Sequence, residues 1–276
     1  MDSISSWRRG LCLAGPGLAF LGLFLLLPIV MLVLASFKTD GGWTVAAYLD
    51  TFGKSYFRVA FLRTLRIGLT VTLVTALIGY PTAYLISKAS PRRKAFFMSL
   101  SLFPLMTTAV VRTFGWFVIL GRHGVVNELL MAVGLISRPI QFLYTEGAIV
   151  VGLTHLFFPL MLLSLISALE NMPPDVEEAA QSLGASPLKT FGRVVLPLSA
   201  DGLVVGGTLV FTGCITAYTT PAILGGTRVL TMATLLQQRA MTLLDWETAT
   251  VVAVVLLSVA SILNFLLRRL RAREAR

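Results

Sequence analysis

Long uncharged apolar runs recur along the chain, separated by short stretches that carry its Lys, Arg, Asp and Glu residues. Six such runs are read, at roughly Leu11 to Phe37, Thr64 to Ser87, Ala95 to Leu120, Gly147 to Leu169, Gly202 to Leu224 and Ala249 to Leu267. Each approaches the ~20 residues that a helix needs to cross a ~30 Å hydrocarbon core. The runs are continuously apolar, without strand-like alternation, so membrane helices are predicted rather than barrel strands; a helix also satisfies its backbone hydrogen bonds within one segment. No tandem repeat, low-complexity tract or linker divides the chain, and the inverted halves of many secondary transporters are not evident. Residues 1–276 are therefore read as one transmembrane domain, an all-α integral membrane protein with six spans.

Composition agrees with that pattern. With 56% hydrophobic residues, 13% charged residues and a mean hydropathy of +0.83, the chain is too apolar for a water-soluble domain of 276 residues. Its net charge of +10 does not indicate nucleic acid, because the basic residues sit in short clusters beside the apolar runs, where they suit anionic lipid and membrane orientation. Counted by side, Lys and Arg favour both termini in the cytoplasm. The first outer loop is also basic; there Arg58, Arg63 and Arg66 accompany Tyr56, Phe57, Phe61 and Leu62, the pattern of an amphipathic helix lying on the membrane surface. Arg8-Arg9 before an apolar stretch looks like a signal peptide, but the run is too long and has no clear cleavage site, so a retained first span is expected. Cys12 and Cys214 fall within apolar runs, without metal-type spacing, and are read as packing residues.

The most informative polar stretch joins the fourth and fifth runs, residues 170–199. It reads as two short helices joined by a glycine. Pro173 and Pro174 suit a helix start, and Asp175, Glu177 and Glu178 complement the dipole in its first turns. Val176, Ala179, Ala180 and Leu183 follow at helical spacing and make an apolar stripe, and Gly184 is placed to end the helix in a left-handed conformation. Ser186-Pro187 then opens a second helix with Leu188, Phe191 and Val194 or Val195 on one face, which Pro197 is expected to break. A helix of about ten residues is too short to span and marginal alone in water, so docking onto another protein is expected.

Glu178-Ala179-Ala180, Gly184 and then Val194-Val195-Leu196-Pro197 are similar to the EAA motif of binding-protein-dependent ABC importer permeases. The six-span layout resembles the type I fold of that family. PLMTTAVVRTFGW at Pro104 to Trp116, VVNELLMAVG at Val125 to Gly134, TTPAILGG at Thr219 to Gly226 and DWETA at Asp245 to Ala249 resemble its spermidine/putrescine-type branch. The resemblance implies a bacterial inner-membrane permease whose coupling helix seats in a groove of a cytoplasmic ATPase. Glu177, Glu178, Ala179, Ala180, Gly184, Ala185 and Pro187 form the implied coupling set. It further implies a second homologous permease, two ABC ATPase subunits that hold ATP and Mg, and an extracytoplasmic solute-binding protein. Relatives of the polyamine type often carry an acidic residue immediately before the aromatic of the fifth span; Ala217 stands there in this chain, which leaves the solute open to polyamine-like, amino-acid-derived and related small polar compounds.

Candidate pathway residues are Arg112, His155, Tyr218 and Thr219. Arg112 lies within the third run, so it faces a polar cavity or partner, or else snorkels to the interface. His155, four residues before Pro159, lines a cavity or is satisfied by a neighbouring helix. Of the hydroxyls along the fifth run most suit helix packing, and Tyr218 and Thr219, close to Pro221, suit a polar route. No phosphate loop, metal-spaced histidine pair or nucleophile elbow is present, so no catalytic residue, metal or cofactor is expected on this chain and ATP hydrolysis is expected elsewhere. A secondary transporter or channel without an ATPase is the alternative.

Overall fold

The computed structural model describes residues 15–17, 19–39, 42–173 and 175–274; Arg8, Arg9, Cys12 and Pro174 of the sequence reading lie outside them, as do both ends of the chain. Four helices are long and apolar enough to cross a bilayer: α1 (Gly15–Ser36), α3 (Ser55–Ser87), α7 (Glu146–Glu170) and α12 (Trp246–Glu274), the last over Trp246–Phe265. Two further spans are broken pairs. α4 (Pro91–Met106) meets α5 (Ala109–Ile119) at 96°, and α9 (Pro187–Leu198) meets α10 (Ala200–Thr216) at 63°. The short helix α8 (Asp175–Ser182) stands between α7 and α9, at what is called here the loop end of the bundle. At the opposite end lie a two-stranded hairpin (β1, Lys38–Thr39; β2, Gly42–Trp43), α2 (Ala46–Gly53), α6 (Val125–Ala132) and α11 (Met232–Gln237).

Local chemistry fixes the ends of these helices. Thr145 caps α7 by accepting from the Ala148 N–H at 3.2 Å, and Asp245 caps α12 by accepting from the Thr248 N–H at 3.1 Å. Thr231 and Thr234 form a reciprocal capping box at α11. Pro91 occupies the first turn of α4, where its missing N–H costs nothing.

The centre of the bundle is the crossing of α3, α7 and α10, with Ile67, Val71, Leu153, Met161, Leu162, Leu165 and Val210 all at most 3% exposed. Within lipid, water exclusion does not drive such packing; close van der Waals contact does, which favours small residues at the crossing. Gly202 and Gly206, one turn apart on α10, meet this need: a Cβ at Gly202 would come within 2.6 Å of the Ala168 Cβ, and one at Gly206 within 2.7 Å of the Met161 Sδ. Cys214 is buried in the same core, as a packing residue.

Three sequence expectations are corrected. The third span is not one straight helix from Ala95 to Leu120, because Thr107 and Thr108 are extended and split it. The fifth is helical only to Thr216; Ala217 is extended, and a separate single turn, Pro221–Gly225, follows. The basic stretch around Arg58 to Arg66 is not a surface helix but the first part of α3, whose 33 residues rise about 50 Å and project beyond a ~30 Å core. Phe57 and Ala60 are buried there against Met232, Leu235 and Val252. Glu146 at the start of α7 pairs with both Arg63 and Arg66, and Arg63 also donates to the Leu230 carbonyl at 3.0 Å. Two of the basic residues that weakened the charge asymmetry are thus held by a carboxylate of the same chain.

Candidate coupling and pathway site

At the loop end, α8 stands on the surface with none of its residues buried. Its C-terminus closes as the glycine predicts. Gly184 has φ +85°, and the Ala185 N–H reaches back to the Ala180 carbonyl at 3.1 Å, a left-handed cap that turns the chain sharply into α9. A Cβ at Gly184 would meet nothing within 4 Å, so backbone conformation alone requires glycine there. Ser186 precedes Pro187 in extended conformation and makes no side-chain cap, and α9 passes through Pro197 by way of a π-type turn before ending at Leu198.

The seven coupling-set residues do not all face one way. Glu178, Ala179, Gly184 and Pro187 are exposed, with Leu183 and Leu188 beside them at 90% and 83% exposure. Ala180 and Ala185 are half-buried. Glu177 turns inward: its Oε2 accepts from the Tyr84 hydroxyl at 3.0 Å and pairs with the Lys88 ammonium, both from the end of α3. The hydrogen bond from Lys88 to that carboxylate raises the lysine pKa above its ordinary value. One turn earlier on α3, the Tyr80 hydroxyl bonds Ser199 and donates to the Val195 carbonyl at 3.3 Å. Phe191 of α9 packs edge-on against both tyrosine rings, with centroids 5.2 and 5.4 Å away. A second ion pair, Lys94 with Glu170, ties α4 to the end of α7. None of these α3 residues was singled out in the sequence, yet Tyr80, Tyr84 and Lys88 stand at i, i+4 and i+8, the helical spacing that places polar groups on one face.

The pathway candidates gather around the broken spans. The Arg112 guanidinium turns back onto the last turn of α4, donating to the carbonyls of Pro104 and of Thr107, the latter at 3.3 Å. A helix end leaves its last carbonyls short of N–H donors, and a cation there also complements the dipole; the Pro104 carbonyl accepts from the Thr107 hydroxyl as well, at 2.9 Å. One turn on, Trp116 donates its indole N–H to His155 Nδ1 at 3.0 Å, which leaves the proton of the neutral ring on Nε2. Thr113 and Thr220 share a hydrogen bond of 3.2 Å, tying α5 to the stretch that holds Tyr218 and Thr219. Tyr218 is exposed and Thr219 half-buried. Among the described residues no hydrogen bond joins any two of Arg112, His155, Tyr218 and Thr219. At the loop end a cavity of about 630 Å³ opens between α7 and α10, lined by Ser164, Ser167, Asn171 and Asp201 among others.

Residues 75–276 match the family of binding-protein-dependent transport system inner membrane components. The chain belongs to that family. It is a permease subunit of an ABC importer, a transport component and not a catalyst. The spermidine/putrescine transport system permease protein PotB of Haemophilus influenzae is 31% identical over 253 residues, covering 89% of this permease and 88% of the relative. PotB of Escherichia coli is 30% identical over 234 residues, covering 82% and 85%. A bacterial alginate ABC transporter crystallised with its pentasaccharide-bound periplasmic protein superposes on the permease with a TM-score of 0.81 at 16% identity, over 100% of this chain and 97% of that one, which shows the type I fold.

Proposed function

We propose that this permease lines the route of a small polar solute across the bacterial inner membrane, both termini in the cytoplasm, and takes its driving motion from a separate ATPase seated on α8 and the turn at Gly184. The observation that carries this reading is the uncovered face of α8 and α9. Leu183 and Leu188 at 90% and 83% exposure flank Glu178 at the loop end, on a segment too polar for lipid and without cover from its own chain. Apolar side chains held out beside a carboxylate suit a protein groove with a basic rim.

In this scheme two homologous permeases enclose the solute cavity, two ATPases carrying ATP and Mg bind their loop ends, and a solute-binding protein delivers cargo to the opposite face. ATP draws the ATPases together, moves the coupling helices and favours the outward-facing cavity; hydrolysis reverses the change. ATP drives this only by binding one state more tightly than the other. Arg112, His155, Tyr218 and Thr219 border the route, and Ala217 leaves it without the carboxylate that the resemblance associates with polyamine cargo.

Glu178→Lys and Gly184→Val test the coupling assignment. The valine forces a side chain into left-handed backbone, a cost of about 1–2 kcal/mol or somewhat more for a β-branched residue, at a surface position where an added Cβ meets nothing within 4 Å. Both variants are expected to insert at normal levels and to lose ATP-dependent uptake. Uptake and ATPase stimulation unchanged in both removes the coupling role, and a purified permease that transports with no ATPase present favours a secondary transporter.

A further inference from the structure

Span two is distant in sequence from the coupling loop, so direct transmission from α8 to α3 runs through side chains. The contacts that join them are few and specific. Among the described residues, every side-chain hydrogen bond from α8 to the rest of the chain runs through Glu177, to Tyr84 and Lys88. Tyr84 is the joint of this arrangement: its hydroxyl holds α8, its ring packs edge-on against Phe191 of α9, and the Lys88 ammonium lies 5.2 Å from the ring centroid. Tyr80, one turn deeper, bonds Ser199 at the 63° bend where α9 passes into α10. One face of α3 therefore grips both sides of the Gly184 turn and the hinge beyond it.

We propose that Lys88 and Tyr84 are positioning residues for energy coupling: they clamp Glu177 so that displacement of α8 is transmitted into span two as well as along the chain into α10. The division of labour between adjacent carboxylates follows. Glu178 faces the motor, and Glu177 faces the permease's own α3. The clamp rests on the reading that an ATPase docks at α8. Lys88, with a side chain about half exposed, is replaceable without disturbing the buried core.

The test uses the complete transporter in nanodiscs, with spin labels placed singly at Ser182 on α8 and at Leu77, an exposed residue of α3. Spectra are compared without nucleotide and after trapping with ATP and vanadate. In the parent complex both labels respond. In Lys88→Glu the response at 182 persists while that at 77 is lost, and the swap Lys88→Glu with Glu177→Lys restores it. Tyr84→Phe, which keeps the ring and removes only the hydroxyl, weakens the response at 77. A full response at 77 in Lys88→Glu overturns the clamp, as does a double swap that behaves like the single variant. No response at 182 in the parent complex overturns the ATPase reading beneath it, so the two failures are told apart.

Discussion

Glu177 and Glu178 are neighbours of identical type in the first turns of one helix, and the opposite roles proposed for them come from a rotation of about 100° per residue. Sequence grouped them because acidic residues near a helix start share one local rationale, the dipole; which of them meets α3 depends on a chain segment some ninety positions away. Gly184 was legible for the converse reason: a left-handed cap is a local requirement, and an apolar stripe that ends at a glycine announces it. Arg112 was legible as a costly intramembrane cation, but its partners were not, because the carbonyls of Pro104 and Thr107 become free only where the span breaks. Arg112→Ala removes the side-chain donor to the Thr107 carbonyl and leaves the Pro104 carbonyl with the Thr107 hydroxyl alone. A loss of about 1–3 kcal/mol in the detergent-solubilised permease is expected, with a smaller loss for Arg112→Lys, read by thermal unfolding.

Among the elements, span number and order were readable because each run has the length a bilayer demands. The break at Thr107 and Thr108 was not, since the apolar run resumes directly after it; Pro104 and the capping residue Thr108 were the local hints. The extent of α3 was missed because its basic first turns looked like a lipid-facing surface, whereas their partner, Glu146, lies on another helix. Close approach of α10 to α7 depends on Gly202 and Gly206, so Gly206→Leu should force the pair apart at a cost of about 1–3 kcal/mol, seen as a lower unfolding temperature and not merely reduced uptake. The α3 to α8 clamp has a pH signature. Lys88 has a raised pKa in the folded protein, so its contribution is complete below the ordinary lysine value and is lost only as pH rises through the higher folded one. A spin label at Ser182 should keep its mobility from neutral pH into the alkaline range and loosen above roughly 10.5; loosening near pH 8 would contradict the pairing.

For the molecule as a whole, the outer surface of the bundle is itself informative. None of the apolar window of α1 is buried within the chain, and large side chains such as Leu77, Leu85 and Met106 are more than 70% exposed along the spans. Lipid and the proposed second permease suit that belt, but they do not account for Leu183 and Leu188 at the loop end, beyond the apolar spans. A photoreactive residue at position 183 in the purified transporter gives the most direct measurement. The account predicts irradiation-dependent adducts to the ATPase subunit, abolished when Glu178→Lys is added; an ATPase that co-purifies yet never cross-links from that position contradicts it.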